Sequence, residues 1–160
     1  MVEEILDILV ENAKVTADEI AVMLNQDVVE VRTQIRKLEQ DRVIVRYHTL
    51  VNWEKTNREY VTALIEVKVI PQRDQGFDAI AERIYRFAEV SSVYLMSGAY
   101  DLSVMVEGRT MKEVALFVAQ KLSPLDSVLS TATHFVLKKY KADGVIMEDI
   151  EKDDRLVVTP

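Results

Sequence analysis

Apolar residues in the first part of the chain recur at the three- to four-residue spacing of amphipathic helices. This spacing predicts a first helix over about residues 2–12. Thr16 and Glu19 are spaced as in a capping box, which predicts the start of a second helix. Asp27 is the predicted N-cap of a third helix, which should end near Asp41. The side chains predicted to face inward are Ile5, Leu6, Leu9, Ile20, Met23, Leu24, Val28, Val31, Ile35 and Leu38.

The period of the pattern changes after the third predicted helix. Residues 43–53 are rich in β-branched and aromatic side chains, which predicts two short strands paired as a hairpin. Three helices, a tight break at Asn25-Gln26 and a hairpin together predict a winged helix-turn-helix domain over residues 1–53. The polar and charged residues 54–59 are the predicted linker to the rest of the chain.

The second half has the pattern strand, helix, strand, strand, helix, strand over residues 60–142. This order predicts a ferredoxin-like βαββαβ domain, with a four-stranded antiparallel sheet and two helices on one of its faces. The fold class is therefore α+β. Residues 143–160 are acidic apart from Leu156-Val157-Val158 and are predicted to form a C-terminal tail.

Alternation along the first strand of this domain predicts which side of the sheet is buried. The positions suited to cover the helices are Val61, Ala63, Ile65, Val67 and Val69. The opposite face is predicted to carry Tyr60, Thr62, Leu64, Tyr94, Met96 and Met105. That face is too apolar to lie comfortably in water, and its burial against a second copy predicts a homodimer. The alternative is that the N-terminal domain or the tail covers it.

The composition excludes several kinds of chemistry. The 160 residues include no cysteine and two histidines, His48 and His134, so thiolate and histidine-rich metal sites are excluded. The four glycines form no phosphate-binding pattern, no apolar run is long enough to span a bilayer, and no catalytic set of residues is recognisable. We therefore expect no enzyme activity, cofactor, metal or membrane association. The acidic N-terminus and the lack of cysteine favour a cytoplasmic location.

The third predicted helix differs in charge from the chain as a whole. The net charge is −7, yet residues 28–46 contain five basic side chains against three acidic ones. Such a local basic strip on an acidic protein suggests an anionic partner, and the alternative is a solvated helix face. On a helical wheel, the side chains opposite the apolar stripe are Val29, Arg32, Thr33, Arg36 and Lys37.

A helix with a buried stripe and an opposed basic stripe fits the major groove of double-stranded DNA. Arg32 is suited to pair with guanine through two hydrogen bonds. Arg36 and Lys37 are expected to contact phosphates. Arg46 or His48, on the predicted hairpin, is expected to touch the flanking backbone of the DNA.

The segment from Ile20 to Ile44 resembles the Lrp/AsnC family of bacterial and archaeal transcription regulators, notably in Arg32 to Leu38 followed by Glu39 and Val43-Ile44. The resemblance continues through Ser97-Gly98-Ala99-Tyr100-Asp101 and takes in Thr131 and Thr133 on the last predicted strand. It implies a DNA-binding N-terminal domain and a ferredoxin-like domain that senses amino acids. Such proteins dimerise through the second domain and often assemble into octamers.

The resemblance also implies an effector site between dimers, near the turn at Gly98–Asp101. Gly98 permits a tight turn, the turn amides can receive a carboxylate, and the Asp101 carboxylate can pair with an ammonium group. Tyr100 belongs to the same turn, and Thr131 and Thr133 offer hydroxyl groups from one face of a strand. The residues alone also allow a simple hairpin turn in which Asp101 bonds its own backbone.

These observations favour a sequence-specific regulator that binds double-stranded DNA and whose oligomeric state or DNA affinity responds to a small-molecule effector, expected to be an amino acid. Two alternatives stay open. One is a decarboxylase of tetrapyrroles in the haem pathway, since some proteins with this two-domain layout carry out that reaction. The other is an amino-acid sensor that no longer binds DNA, which Glu30 and the overall acidity favour.

Overall fold

Three short helices form the first of two units in the computed structural model, which describes residues 1–71 and 76–148. The helices are α1 (Val2–Glu11), α2 (Ala17–Leu24) and α3 (Val28–Gln40), and this unit ends at Val51. The fully or nearly fully buried residues of its core are Ile5, Leu9, Ile20, Ala21 and Val31. The three predicted helices are therefore confirmed, with bounds within one or two residues of those expected.

Local hydrogen bonds fix where α2 and α3 begin. The Thr16 hydroxyl accepts from the Glu19 amide at 3.3 Å, while the Glu19 carboxylate accepts from the Thr16 amide at 2.7 Å. Asp27 accepts from the first free amides of α3, those of Val29 at 2.8 Å and Glu30 at 3.1 Å. Asn25 ends α2 in the left-handed conformation with φ of 51°, which Asn tolerates better than most residues. Both predicted caps are confirmed.

Met23 is a correction to the predicted core, because its side chain is 61% exposed. Ile20, Ala21 and Leu24 form the inward stripe of α2. At 100° per residue, Met23 lies roughly 110° from the centre of that stripe. Ala21 takes the inward position instead, which allows the short helix to lie close to its neighbours.

The predicted hairpin at residues 43–53 is wrong, since the described residues between α3 and residue 60 contain no strand. The amides of Val43 and Ile44 both donate to the Leu38 carbonyl, which holds the chain against the end of α3. The β-prone side chain of Val45 is 69% exposed. High β propensity produces a strand only where a partner strand is present, and this segment pairs with none. Trp53–Lys55 forms one turn of 3-10 helix.

The second unit begins at Asn52 and contains a four-stranded antiparallel sheet. Its helices cover one face, which gives the ferredoxin-like arrangement expected from the sequence. The second of these helices continues into one turn of π-helix, Val118–Leu122. The elements are β1 (Val61–Val69), α4 (Asp78–Tyr85), β2 (Val90–Leu95), β3 (Leu102–Gly108), α5 (Met111–Phe117) and β4 (Val128–Phe135). The strands lie in the order β2-β3-β1-β4 across the sheet.

The predicted division of the sheet into two faces is confirmed on the helix side. Ala63, Ile65 and Val67 of β1 are fully buried among the helices. On the other side, Leu64 pairs with Met105 of β3 and His134 of β4. Leu64 and Met105 are half-buried. We call the face that carries Leu64, Met105 and His134 the outer sheet face.

A small hairpin follows the sheet at the predicted start of the tail. It pairs β5 (Lys141–Ala142) with β6 (Val145–Ile146) through a turn at Asp143 and Gly144, both of which have positive φ. The apolar run at residues 156–158 lies outside the described residues. Within the described ranges, no helix is both long and apolar enough to cross a membrane.

Candidate nucleic-acid interface and effector site

The two sides of α3 have opposite character. Val31 and Leu38 are buried against the other helices, and Val28 and Ile35 are half-buried beside them. All five side chains of the predicted recognition surface are exposed: Val29, Arg32, Thr33, Arg36 and Lys37. We call this set the α3 surface. It combines one apolar contact group, one hydroxyl group and three cations along two and a half turns of helix.

The beginning of the α3 surface is well ordered by hydrogen bonds. The Asp27 cap anchors the first turn, on which Val29 is 71% exposed. One turn later the Thr33 hydroxyl donates to the Val29 carbonyl at 2.7 Å, which leaves the oxygen of that hydroxyl free to accept. An exposed methyl-bearing side chain and a hydroxyl at adjacent turns are groups that can contact base edges.

Arg32 has a partner that the sequence analysis did not identify. Its Nη2 lies 2.9 Å from Oδ1 and 2.7 Å from Oδ2 of Asp18, on the first turn of α2. Both side chains remain more than half exposed. The two residues are separated by 14 positions, and no spacing rule connects them, because the turn between α2 and α3 decides whether they meet.

The other arginine and lysine side chains of the candidate interface differ from Arg32 in having no acidic partner among the described residues. In the described ranges, the side chains of Arg36, Lys37 and Arg46 make no ion pair, and all three are exposed. Arg46 lies in the extended segment after α3 and not on a hairpin. Beside it, the Tyr47 hydroxyl donates to the Glu39 carboxylate at 3.0 Å. Partial burial and this bond to Glu39 raise the pKa of Tyr47 above its usual value.

The candidate effector turn connects β2 and β3 and lies beside the end of β1. The Met96 amide donates to the Asp101 carbonyl, and the Asp101 amide donates to the Val67 carbonyl at 3.1 Å. The Asp101 carboxylate accepts from the Val69 amide at 2.9 Å. Gly98 leaves open space where a Cβ would stand, and Tyr100 is half-buried. The Asp101 side chain thus bonds the backbone of a neighbouring strand, and not that of its own turn.

Thr131 and Thr133 lie on β4, on the other side of β1. They pair with Val67 and Ile65, so both threonines are on the helix-facing side of the sheet. The Thr131 hydroxyl is 3.3 Å from the Ser123 hydroxyl. Asp101 and Thr131 therefore flank the same end of β1 from opposite sides, roughly 10 Å apart across two strand spacings. Thr133 lies two residues further along the sheet.

The two histidines fall in separate units. His48 belongs to the first unit, whereas His134 lies on the outer sheet face with its Nε2 3.5 Å from Glu66 Oε1. No group of three or more potential ligand side chains in residues 1–71 and 76–148 is arranged to hold a metal ion. The candidate sites are therefore the α3 surface and the end of β1.

Comparison with known proteins connects both regions to gene regulation. A model described as the Lrp/AsnC ligand binding domain matches residues 62–146, and one described as the TFIIE alpha subunit matches residues 1–73. The chain is 56% identical over 158 residues to an uncharacterised helix-turn-helix-type transcriptional regulator of Bacillus subtilis, covering 98% of this chain and 95% of that one. A regulator of the same description from Pyrococcus furiosus is 34% identical over 140 residues, covering 88% and 91%.

Solved structures have the same fold. Escherichia coli AsnC is matched over 88% of this chain and 93% of its own, with a TM-score of 0.69 and 19% identity. The leucine response regulatory protein of Mycobacterium tuberculosis is matched over 92% and 97%, with a TM-score of 0.76 and 20% identity. A Neisseria meningitidis regulator, solved as a complex with L-methionine, is matched over 88% and 90%, with a TM-score of 0.72 and 23% identity.

A helix-turn-helix unit followed by a ferredoxin-like ligand-binding unit defines a ligand-responsive transcription regulator. The chain belongs to the Lrp/AsnC family of transcription regulators. The resemblance on which the sequence analysis relied is therefore confirmed, and the relatives are named as regulators and not as enzymes.

Proposed function

We propose that the protein binds double-stranded DNA through the α3 surface and regulates transcription in response to an amino acid. The observation that carries this proposal is the orientation of α3. Its apolar stripe anchors it in the first unit, whereas its cations point to solvent. A helix held in this way can enter the major groove without disturbing the core of its own unit.

Each exposed side chain of α3 has a role that follows from its chemistry. Val29 and Thr33, near the N-terminal end of the helix, contact base edges, and Val29 suits a thymine methyl group. Arg32 pairs with guanine. Arg36 and Lys37 lie further along the helix and neutralise phosphates, and Arg46 contacts the backbone beyond it. Glu30, on the same exposed side, opposes the phosphates and limits nonspecific binding.

The proposed effector site lies at the end of β1, where Asp101 and Thr131 flank the strand. An amino acid presents an ammonium group and a carboxylate. Asp101 supplies the charge for the ammonium group, while the amides near Gly98 face the carboxylate. Tyr100, Thr131 and Thr133 add a ring and two hydroxyl groups. Support for this class of effector comes from the Neisseria meningitidis regulator of the same fold, which was solved with L-methionine.

The outer sheet face is the proposed dimer interface, and dimers are the proposed unit of any larger assembly such as an octamer. Leu64 and Met105 lie at its centre and are only half-buried in the single chain. An effector that binds between dimers favours one assembly, and that assembly sets the spacing of the α3 helices along DNA. The protein then acts on chromosomal DNA in the cytoplasm.

The test is recovery of genomic DNA fragments by the purified full-length protein at two salt concentrations, with and without a mixture of amino acids. Phosphate contacts predict a steep loss of recovered DNA as salt rises, because bound proteins release condensed counterions. Amino acids should change either the fragments recovered or their amount. Equal recovery of all fragments would reject sequence-specific regulation, and recovery of none would favour a sensor that does not bind DNA.

A further inference from the structure

The contact between Asp18 and Arg32 connects the first turn of α2 to the α3 surface. Only one guanidinium nitrogen of Arg32, Nη2, is used in it, at 2.9 Å and 2.7 Å from the two carboxylate oxygens. Among the described residues, Nη1 and Nε of Arg32 have no hydrogen-bond partner. The arginine is therefore held in one orientation while most of its donors remain available.

Folding stability does not account for this pair. Asp18 and Arg32 are 60% and 53% exposed, and ion pairs at such exposure contribute little to the free energy of folding. The consequence for Arg32 is a loss of freedom, since an unpaired arginine samples many rotamers. The first turn of α2 is a favourable position for the Asp18 carboxylate, because the N-terminal end of a helix stabilises a negative charge.

We propose that Asp18 is a positioning residue that orients Arg32 to recognise a guanine in the major groove. The inference rests on the proposed DNA-binding role of α3. Guanine O6 and N7 accept two parallel hydrogen bonds from a guanidinium group. The two Asp18 oxygens lie on the same side of Nη2 and can share one of its N–H bonds, so the other N–H of Nη2, together with Nη1 or Nε, remains free to donate this pair. An arginine that is oriented before binding loses less conformational entropy on binding, so it discriminates better between guanine and other bases.

The experiment begins with duplexes selected by the full-length protein from a random DNA library. Affinities for the selected duplex and for versions with each guanine replaced are then measured by fluorescence anisotropy. Asp18→Asn should reduce the preference for one guanine by about fivefold and leave preferences elsewhere intact. Glu30→Gln is the matched control. It removes one negative charge from the same exposed region and should change the affinity for all duplexes together.

Two further variants separate positioning from damage to the fold. Asp18→Glu retains the charge and should keep part of the preference that Asp18→Asn loses. In an Arg32→Ala background, Asp18→Asn should have no further effect on base preference, because the group it orients is absent. Thermal unfolding of each variant shows that the helices remain folded.

The results distinguish this inference from the proposed function on which it rests. If the parent protein selects no sequence, the DNA-binding proposal fails and the role of Asp18 fails with it. If the parent is selective and Asp18→Asn binds every duplex more tightly with its preference unchanged, Asp18 merely competes with DNA for Arg32. That outcome overturns the positioning role and leaves DNA binding by α3 intact.

Discussion

The Asp101 carboxylate accepts a 2.9 Å hydrogen bond from the Val69 amide, so a side chain extends the ladder between β3 and β1. The last backbone pair of that ladder is Val67 with Leu102. Val69 lies beyond it and has no strand partner on that side. The bond fixes the β2–β3 turn to the end of β1, and Asp101 therefore has a structural role in addition to its proposed role in effector binding.

Asp101→Asn should separate these two roles. Asparagine keeps an oxygen that can accept from the Val69 amide, but it lacks the charge that an ammonium group needs. We expect the folded protein to remain about as stable as the parent and to lose its response to amino acids. The measurement is the rise in melting temperature that each of the common amino acids produces.

Asp101→Ala is the companion variant, since it removes the acceptor as well. It should lower stability by about 1–2 kcal/mol, because the part-buried Val69 amide is left unpaired. An amino acid that still raises the melting temperature of Asp101→Asn as much as that of the parent would exclude Asp101 from the effector site.

The cations of the α3 surface should differ in their effects on DNA binding. Arg36→Ala and Lys37→Ala should each weaken binding to all sequences and reduce the salt dependence by about one unit of slope. Arg32→Ala should weaken binding and also relax the preference for one base. Titrations of a bound genomic fragment at several salt concentrations measure both quantities.

Lys112→Ala is the matched control for these variants, because Lys112 is an exposed lysine on α5 in the second unit. It should leave the affinity and its salt dependence close to those of the parent. If all α3 variants bind as the parent does, another surface contacts the DNA.

Features set by nearby residues could be predicted from the sequence, whereas features set by distant pairing could not. The caps formed by Thr16 and Asp27 involve groups two or three residues away, so their spacing predicts the bonds. Alternation along β1 predicts its buried face in the same way. The partners of Asp101 and Arg32 lie 32 and 14 residues away, and only the sheet register and the α2–α3 turn bring them together.

The missing hairpin after α3 shows the same limit. Val43 and Val45 have strong β propensity, but a strand also needs an edge to pair with, and sequence composition does not reveal whether one exists. In the structure this segment follows the end of α3 and stays exposed. The sequence therefore predicts a hairpin position for Arg46, but its candidate role in contacting the DNA backbone does not depend on a hairpin.

Met105→Lys should convert a dimer into monomers. Met105 lies beside Leu64 on the outer sheet face, and a charge at the centre of a buried interface loses its hydration without gaining a partner. Light scattering after gel filtration measures the mass of the particle. Leu116→Lys is the control, since Leu116 is 44% exposed on α5, which covers the opposite side of the sheet. A parent protein that is already monomeric would contradict the proposed interface.

Glu19→Gln should destabilise the protein near neutral pH and have a diminishing effect in acid. Hydrogen bonds from the Thr16 amide and hydroxyl, at 2.7 Å and 2.8 Å, lower the pKa of Glu19 below its usual value of 4.5. The unfolded chain therefore binds this proton more tightly than the folded one. The stabilisation is complete above the unfolded pKa and disappears as the pH falls through the lower, folded value.

The melting temperatures of parent and Glu19→Gln should accordingly converge as the pH falls below the usual glutamate pKa of 4.5 and through the lower pKa of the folded protein. Glu3→Gln is the appropriate comparison, because Glu3 also lies in the first turn of a helix, but the N-cap of that helix, Met1, has no side-chain cap bond. The Glu3 variant should differ less from the parent at neutral pH. If the melting temperatures of Glu19→Gln and the parent differ by the same amount at pH 7 and pH 3, the Glu19 side chain acts through its shape and not through its charge.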